Sequence, residues 1–366
     1  MTDSAAYTAL LAALSALGGG CGCDGDGGGG SDGCGGQVLV CAHTRPDGDA
    51  IGSVLAMVAA LRVRGVDAVP LLADNALPPA PYNWMEGIAD FVRPDEYEGL
   101  GAGSAADSAV APAADVFIAL DTPDVARLGA ARELMEATAN SGGRTIFIDH
   151  HPPVDESYAQ VCYSDPQAAA TGQIVWQVLG DLGWVRDAQV ATACYVSVMS
   201  DTGSFQFSNT TKQTFFVASE MVEAGADPAR IAALLFNQKP LAALRLEGRI
   251  LSRTRLLNDG AVAHSYLSDA DLQELGVASD WTENLIDLIR SMQDTTVALF
   301  ITHTSKGPRV SLRGAGGFDV ASVARRFGGG GHKVAAGIAW PDKSASREEI
   351  LAALLPLLPG EHNGTP

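Results

Sequence analysis

The side chains best suited to chemistry in this sequence are five aspartates, Asp47, Asp49, Asp121, Asp149 and Asp201, and three histidines, His43, His150 and His151. They fall in four short blocks: His43-Thr44-Arg45-Pro46-Asp47-Gly48-Asp49, Asp121-Thr122-Pro123-Asp124, Asp149-His150-His151-Pro152 and Ser200-Asp201-Thr202-Gly203-Ser204. Any one block has a plain reading, because Asp favours turns and helix caps. Three of the four, however, follow an apolar run (Val38 to Ala42, Val116 to Leu120, Thr145 to Ile148), and the fourth ends a helical pattern from Ala188 to Met199. Turn chemistry alone does not readily produce that recurrence. Carboxylates converging on one crevice repel, and burial raises their pKa values; two divalent cations would offset the charge. Mixed His and Asp donors suit manganese, with magnesium, cobalt or zinc as alternatives. Asp47 and Asp49, separated by one glycine, are expected to point different ways in an extended loop, one carboxylate to each cation.

These residues need strands to carry them. From 37 to about 236, apolar runs at 37–42, 66–72, 115–120 and 144–148 alternate with helical patterns at 51–64, 124–138, 171–182 and 187–199. The alternation predicts an α/β domain, a mostly parallel sheet with helices on both faces. Ligands of such sheets gather at the carboxyl ends of the strands. Thr171-Gly172 opens a helix, with no chemistry read there. A helix from Leu241 to Leu257 is expected to link (237–258) to a smaller α+β domain over 259–358. Its expected order is strand 261–267, helix 281–293, strands 295–303 and 308–313, helix 319–326 and a strand near 334–340.

Residues 1–17 form an Ala/Leu-rich helical pattern with Asp3 and no Lys or Arg. That is a poor signal peptide, so a helix packed on the first domain and a cytoplasmic location are expected. Residues 18–36 are nearly all Gly, Cys, Asp and Ser and read as a flexible insert. Cys21, Cys23 and Cys34 match no zinc spacing. Cys41, Cys162 and Cys194 read as core thiols of a reducing compartment.

The four blocks, in this order, resemble the DHH phosphoesterases, whose name is the Asp149-His150-His151 triplet. Gly328-Gly329-Gly330-Gly331-His332 with Ala335-Ala336-Gly337 resembles the DHHA1 domain that follows in that family. Together they are similar to its stand-alone bacterial oligoribonuclease and pAp (3′-phosphoadenosine 5′-phosphate) phosphatase type. The resemblance implies that His43 and Asp47 hold one cation and Asp49, His150 and Asp201 the other, with Asp121 bridging. It further implies that Asp149 orients a ligand and that His151 contacts the scissile phosphate or assists the leaving oxygen. Arg313, Gly329, Gly330, Gly331 and His332 would hold the rest of the substrate, the glycine run facing the first domain's crevice. The implied reaction is hydrolysis of short oligoribonucleotides or of pAp.

Charge limits the partners. The 366 residues carry a formal net charge of −19, with 47% hydrophobic and 18% charged residues, as in globular proteins. Residues 237–340 carry 12 Lys+Arg and 10 Asp+Glu, a net of +2, and the remainder 12 and 33, a net of −21. Tracking long nucleic acid needs an extended basic surface, so short RNA or pAp is the expected partner. A membrane-spanning stretch is absent from the sequence; a homodimer is compatible with it. An enzyme of cyclic or linear dinucleotides would share every metal residue. A non-enzymatic nucleotide-binding regulator would be expected to lack a ligand, and none is lacking here.

Overall fold

The structure, a computed structural model, describes residues 4–17, 36–97, 113–152, 159–277, 279–282, 285–304 and 307–359. Cys21, Cys23 and Cys34, residues 18–35 of the expected insert and residues 99–112 lie outside these. The chain divides into two compact units, Met1–Asn237 and Gln238–Pro366.

The first unit runs α1 (Ser4–Ser15), β1 (Val38–Cys41), α2 (Gly48–Val63), β2 (Ala68–Leu71), β3 (Val116–Leu120), α3 (Ala131–Asn140), β4 (Arg144–Asp149), β5 (Val161–Ser164), α4 (Thr171–Asp181), α5 (Ala188–Asp201), α6 (Lys212–Glu223) and α7 (Pro228–Ala232). Its five strands lie in the order β2-β1-β3-β4-β5, all parallel. Apolar residues on both strand faces explain the continuous runs in the sequence. Val38, Val40, Ile118, Leu120, Ile146 and Ile148 pack under α2, α4 and α5, while Leu39, Cys41, Phe117, Ala119 and Phe147 pack against α3. Leu10 and Leu14 of α1 are buried in the larger core.

Two boundaries differ from expectation for local reasons. Helix α2 begins at Gly48 rather than Ile51, because the Asp47 carboxylate caps it, accepting from the Asp49 and Ala50 amides at 3.0 and 3.1 Å. Asp49 therefore sits in a first helical turn, not in an extended loop. The helix expected over 124–138 splits into a 3₁₀ turn, Val125–Leu128, and α3. Gly129 between them has φ 52°, and a Cβ there would lie 2.6 Å from the Ala73 carbonyl.

Helices α2 and α5 meet through small residues. A Cβ on Gly52 would lie 2.4 Å from the Ala193 carbonyl oxygen and 3.0 Å from Ser197 Cβ. In an open helix Gly→Ala stabilises by about 1 kcal/mol; here the backbone oxygen cannot yield. Gly52→Ala is expected to destabilise the unit by roughly 1–3 kcal/mol, the usual cost of overpacking, seen as a lower Tm.

The second unit runs α8 (Leu241–Arg253), β6 (Arg255–Leu257), β7 (Val262–Ser268), α9 (Asp269–Leu275), α10 (Leu285–Arg290), β8 (Val297–Thr304), β9 (Gly307–Gly314), α11 (Val320–Arg325), β10 (Gly330–His332), β11 (Ala335–Ala339) and α12 (Arg347–Leu354). Its six-stranded mixed sheet has the order β10-β11-β9-β8-β7-β6. The helix expected to reach Leu257 stops at Arg253, and Arg255–Leu257 pairs antiparallel with β7 as an edge strand. The glycine run is partly an edge strand too, with Gly330 opposite Gly337 and His332 opposite Ala335. One sheet face packs on α11 and α12; the β7–β8 half of the other packs on α8 and α10.

Asp271, in the first turn of α9, ties that helix to α8. Its carboxylate accepts from Arg253 at 2.7 and 2.8 Å, from Arg249 at 3.1 Å and from the Ser268 amide and hydroxyl at 2.9 and 2.7 Å. Burial opposes ionisation, yet these donors hold the carboxyl well below the usual carboxylate range. The stabilisation is present above the unfolded pKa near ~4 and is lost as pH falls through the lower folded value. Asp271→Asn should therefore lower stability at neutral pH by on the order of 2 kcal/mol. It should also flatten the loss below pH ~4, as measured by denaturation across pH.

Candidate metal centre

Order β2-β1-β3 reverses direction between β1 and β3, the switch point where parallel sheets bind ligands. His43 follows β1, Asp121 follows β3, and Asp149, His150 and His151 end and follow β4, on three adjacent strands. Asp49 comes from the first turn of α2 and Asp201 from the last residue of α5. Among the described residues, ligand atoms within 4.8 Å of one another form three overlapping groups. These are His43, Asp47 and Asp121; Asp49, His150 and Asp201; and Asp121, Asp149, His150 and His151.

His150 Nε2 lies 3.6 Å from a carboxylate oxygen of each of Asp49, Asp121 and Asp201. His43 Nε2 lies 3.3 Å from Asp121 Oδ2 and 3.9 Å from Asp47 Oδ1. The His43 Nδ1–H donates to the Thr44 carbonyl at 2.9 Å, which turns the Nε2 lone pair toward the carboxylates. Burial, followed by a smaller effect of Arg127, lowers the His43 pKa despite the opposing pull of Asp47. The neutral form is the one that can ligate a metal.

Asp121 has φ 53°, a left-handed conformation that costs most residues energy but suits Asp and Asn best among non-glycines. Its carboxyl is raised well above the usual range by burial and then by Asp49, Asp47, Asp149 and Asp201. Asp201 is raised by burial and by Asp49 and Asp47, with His151 opposing. Asp149 Oδ1 accepts from the His151 amide at 3.0 Å and from His151 Nδ1–H at 2.8 Å, whereas its Oδ2 is buried without a hydrogen-bond partner. Crowded, mutually repelling carboxyls, a neutral buried imidazole and an orphaned carboxylate oxygen form a donor set that fits divalent cations.

Asp49 differs from its neighbours in being fully supplied with donors. Oδ1 accepts from the Ser53 hydroxyl (3.0 Å), the Ser197 hydroxyl (2.5 Å) and the Gly172 amide (3.1 Å), and Oδ2 from the Thr171 amide (2.8 Å). The two amides are the start of α4, so a helix N-terminus points at the carboxylate. Thr171 also donates its hydroxyl to Asp121 Oδ1 at 3.3 Å. Ser53, Thr171, Gly172 and Ser197 were not expected at the site; the one sequence signal was a small-residue helix start at Thr171-Gly172.

Arg313, Gly330 and Gly331 lie on β9 and β10 of the second unit, with Gly329 just before β10 and His332 ending it. Arg313 Nε is 3.8 Å from Asp287 Oδ1. No described helix is long and apolar enough to cross a membrane.

Comparison with known proteins identifies both domains. Residues 37–198 match the model of the DHH family N-terminal domain, and residues 259–358 that of the DHHA1 domain. The chain is 30% identical over 322 residues to the bifunctional oligoribonuclease and PAP phosphatase NrnA of Thermus thermophilus, covering 87% of this chain and 89% of that protein. It is 24% identical to the protein of the same name from Bacillus subtilis, covering 82% and 88%. Among solved structures, an exopolyphosphatase-related protein from Bacteroides fragilis superposes with a TM-score of 0.75 at 25% identity, covering 87% of this chain and 91% of that one. With the strand-end acids of the DHH domain gathered at one switch point and the DHHA1 domain following, the chain belongs to the DHH family of metal-dependent phosphoesterases.

Proposed function

We propose that this protein hydrolyses short oligoribonucleotides and pAp to nucleoside monophosphates. The observation that carries the reading is the placement of His150 Nε2 at 3.6 Å from each of Asp49, Asp121 and Asp201, supported by the likeness to the two NrnA proteins. His43 and Asp47 would hold one divalent cation and Asp49, His150 and Asp201 a second, with Asp121 shared; manganese suits the donors best, and magnesium or cobalt next. Such cations, when bound, neutralise phosphoryl charge and make water a better nucleophile at neutral pH.

The chain's own groups supply the remainder. Asp149 Oδ1 fixes the His151 ring through Nδ1–H, leaving Nε2 to hydrogen-bond the scissile phosphate or to pass a proton to the leaving oxygen. Thr44 sets the His43 tautomer, and α4 with Ser53 and Ser197 holds Asp49. Arg313, the glycines 329–331 and His332 would contact the parts of the substrate that do not react; Arg suits a phosphate because its fork can bind it at two points.

The test is a substrate panel with purified protein and Mn²⁺: pAp, a dinucleotide, a 20-mer and cyclic di-AMP. Release of monophosphates from pAp and the dinucleotide, lost on chelation and restored by Mn²⁺, is expected. Fast turnover of cyclic di-AMP with neither of those substrates used would assign the protein to cyclic dinucleotides instead.

A further inference from the structure

A cavity of about 320 Å³ opens in the first unit, away from the metal centre. It lies where the segment between the 3₁₀ turns Ala80–Tyr82 and Ile88–Asp90 meets the start of α5 and helix α7. Its lining takes in Ala188, the first residue of α5, whereas the metal-site residue Asp201 is the last. A helical rise of about 1.5 Å per residue separates those two ends by about 20 Å, and the metal-site residues are not part of the lining. The volume falls at the lower end of small-molecule pockets, roughly 300–1,000 Å³.

The walls combine apolar surface with polar groups that have nothing to bond. Met85 and Ile231, both buried, give the lining its apolar part. Trp84 lines the cavity too, and its Nε1–H is buried without a hydrogen-bond partner, so no hydrogen bond of the indole fixes the ring. Glu86, Gln189, Thr192 and Arg230 are also in the lining, and among the described residues their side chains make no hydrogen bond or ion pair. Asp227 is partly used, since its Oδ1 accepts from the Arg230 amide as the cap of α7.

This inventory selects a ligand. Gln189 offers a donor and an acceptor in one plane, the pattern that reads an adenine edge. A tryptophan ring is a flat wall for a base. A carboxylate such as that of Glu86 accepts from ribose hydroxyls. Charge then limits what else the ligand carries. Two carboxylates, Glu86 and Asp227, stand against one guanidinium, Arg230, in the lining, so a phosphate dianion is repelled on balance.

We infer that this cavity binds a neutral nucleoside, with adenosine the match for Gln189, the base against Trp84 and the ribose hydroxyls on Glu86. The site is separate from the phosphoester chemistry and stands whether or not the proposed hydrolysis does. A nucleoside arises from a nucleoside monophosphate by loss of its phosphate, so a phosphomonoesterase reaction must supply this ligand.

The experiment is calorimetric titration of the full chain, in chelator and again with Mn²⁺, with adenosine, 2′,3′-dideoxyadenosine and AMP. Wild type is expected to bind adenosine equally well in both conditions and to bind AMP more weakly than adenosine in chelator. Glu86→Ala should weaken adenosine about 10-fold and leave dideoxyadenosine unchanged, because only adenosine carries the two ribose hydroxyls. Thr192→Phe, which fills the cavity, should abolish adenosine binding. Melting curves establish that the variants fold; if Thr192→Phe does not, the comparison of the two nucleosides on Glu86→Ala, a change at an exposed side chain, decides alone. Absence of saturable adenosine binding, binding that requires Mn²⁺, or equal losses of both nucleosides in Glu86→Ala would overturn the site. Tighter binding of AMP than of adenosine in chelator would overturn the assignment to a neutral ligand.

Discussion

Asp121→Asn is expected to abolish phosphoester hydrolysis while leaving the metal-free protein more stable than wild type. The carboxyl is buried among Asp47, Asp49, Asp149 and Asp201, and burial and these neighbours raise its pKa. Its one side-chain hydrogen bond among those described, from the Thr171 hydroxyl at 3.3 Å, is long. Without cations it is a source of repulsion, and asparagine removes the charge while tolerating φ 53°. The gain should be on the order of 1 kcal/mol. With cations the sign reverses, because the residue shared by both proposed sites is lost. Turnover should fall by at least about 10³-fold, the several kcal/mol that cations contribute to stabilising phosphoryl charge. Melting curves in chelator and in Mn²⁺, read beside turnover, check both halves. Normal turnover would remove Asp121 from the centre, and a lower Tm in chelator would show that the carboxylate holds the fold together.

The same change at Asp49 should lower stability and activity together. Both Asp49 oxygens already accept, three donors on Oδ1 and the Thr171 amide on Oδ2. Asparagine must present an NH₂ to at least one of them. Turning its carbonyl toward Ser53, Ser197 and Gly172 sets donor against donor at Thr171 and loses the oxygen that faces His150. A buried unsatisfied donor costs about 1–3 kcal/mol, so Asp49→Asn should melt earlier than wild type even in chelator, with turnover lost as for Asp121→Asn. A melting temperature matching wild type in chelator would show that these hydrogen bonds carry no stability. Two buried aspartates in one cluster would thus respond in opposite directions to one substitution, because one is crowded by charge and the other is surrounded by donors.

The parts of the site that were legible in the sequence are those with a local signature. The β1, β3 and β4 runs are buried on both faces and end in His or Asp, so strand and ligand are read from one window. The donors around Asp49 have no such signature: Ser197 is 148 positions away and the Thr171 amide 122, and only the packing of α2, α4 and α5 joins them. Four-residue β5, with Ser164 at its end, is too short for a periodicity, and β6 was hidden inside a helical pattern that Leu256 and Leu257 prolong. Helix α9, opened by Ser268 and Asp271 in a capping box, carried a readable signal that the seven-residue length obscured.

Those sequence separations also set when the centre can exist during folding. Every pairing in the first sheet is parallel and needs a crossover, so its contacts close long loops before they are rewarded. Asp49 becomes fully supplied with donors only after α4 and α5 have docked on α2, and the strand-end acids meet only after β1, β3 and β4 are in register. No local fragment of the chain holds half of this cluster in place. Recovery of metal binding after dilution from denaturant should accordingly lag behind the return of helical circular dichroism, so that the centre keeps time for the last docking step.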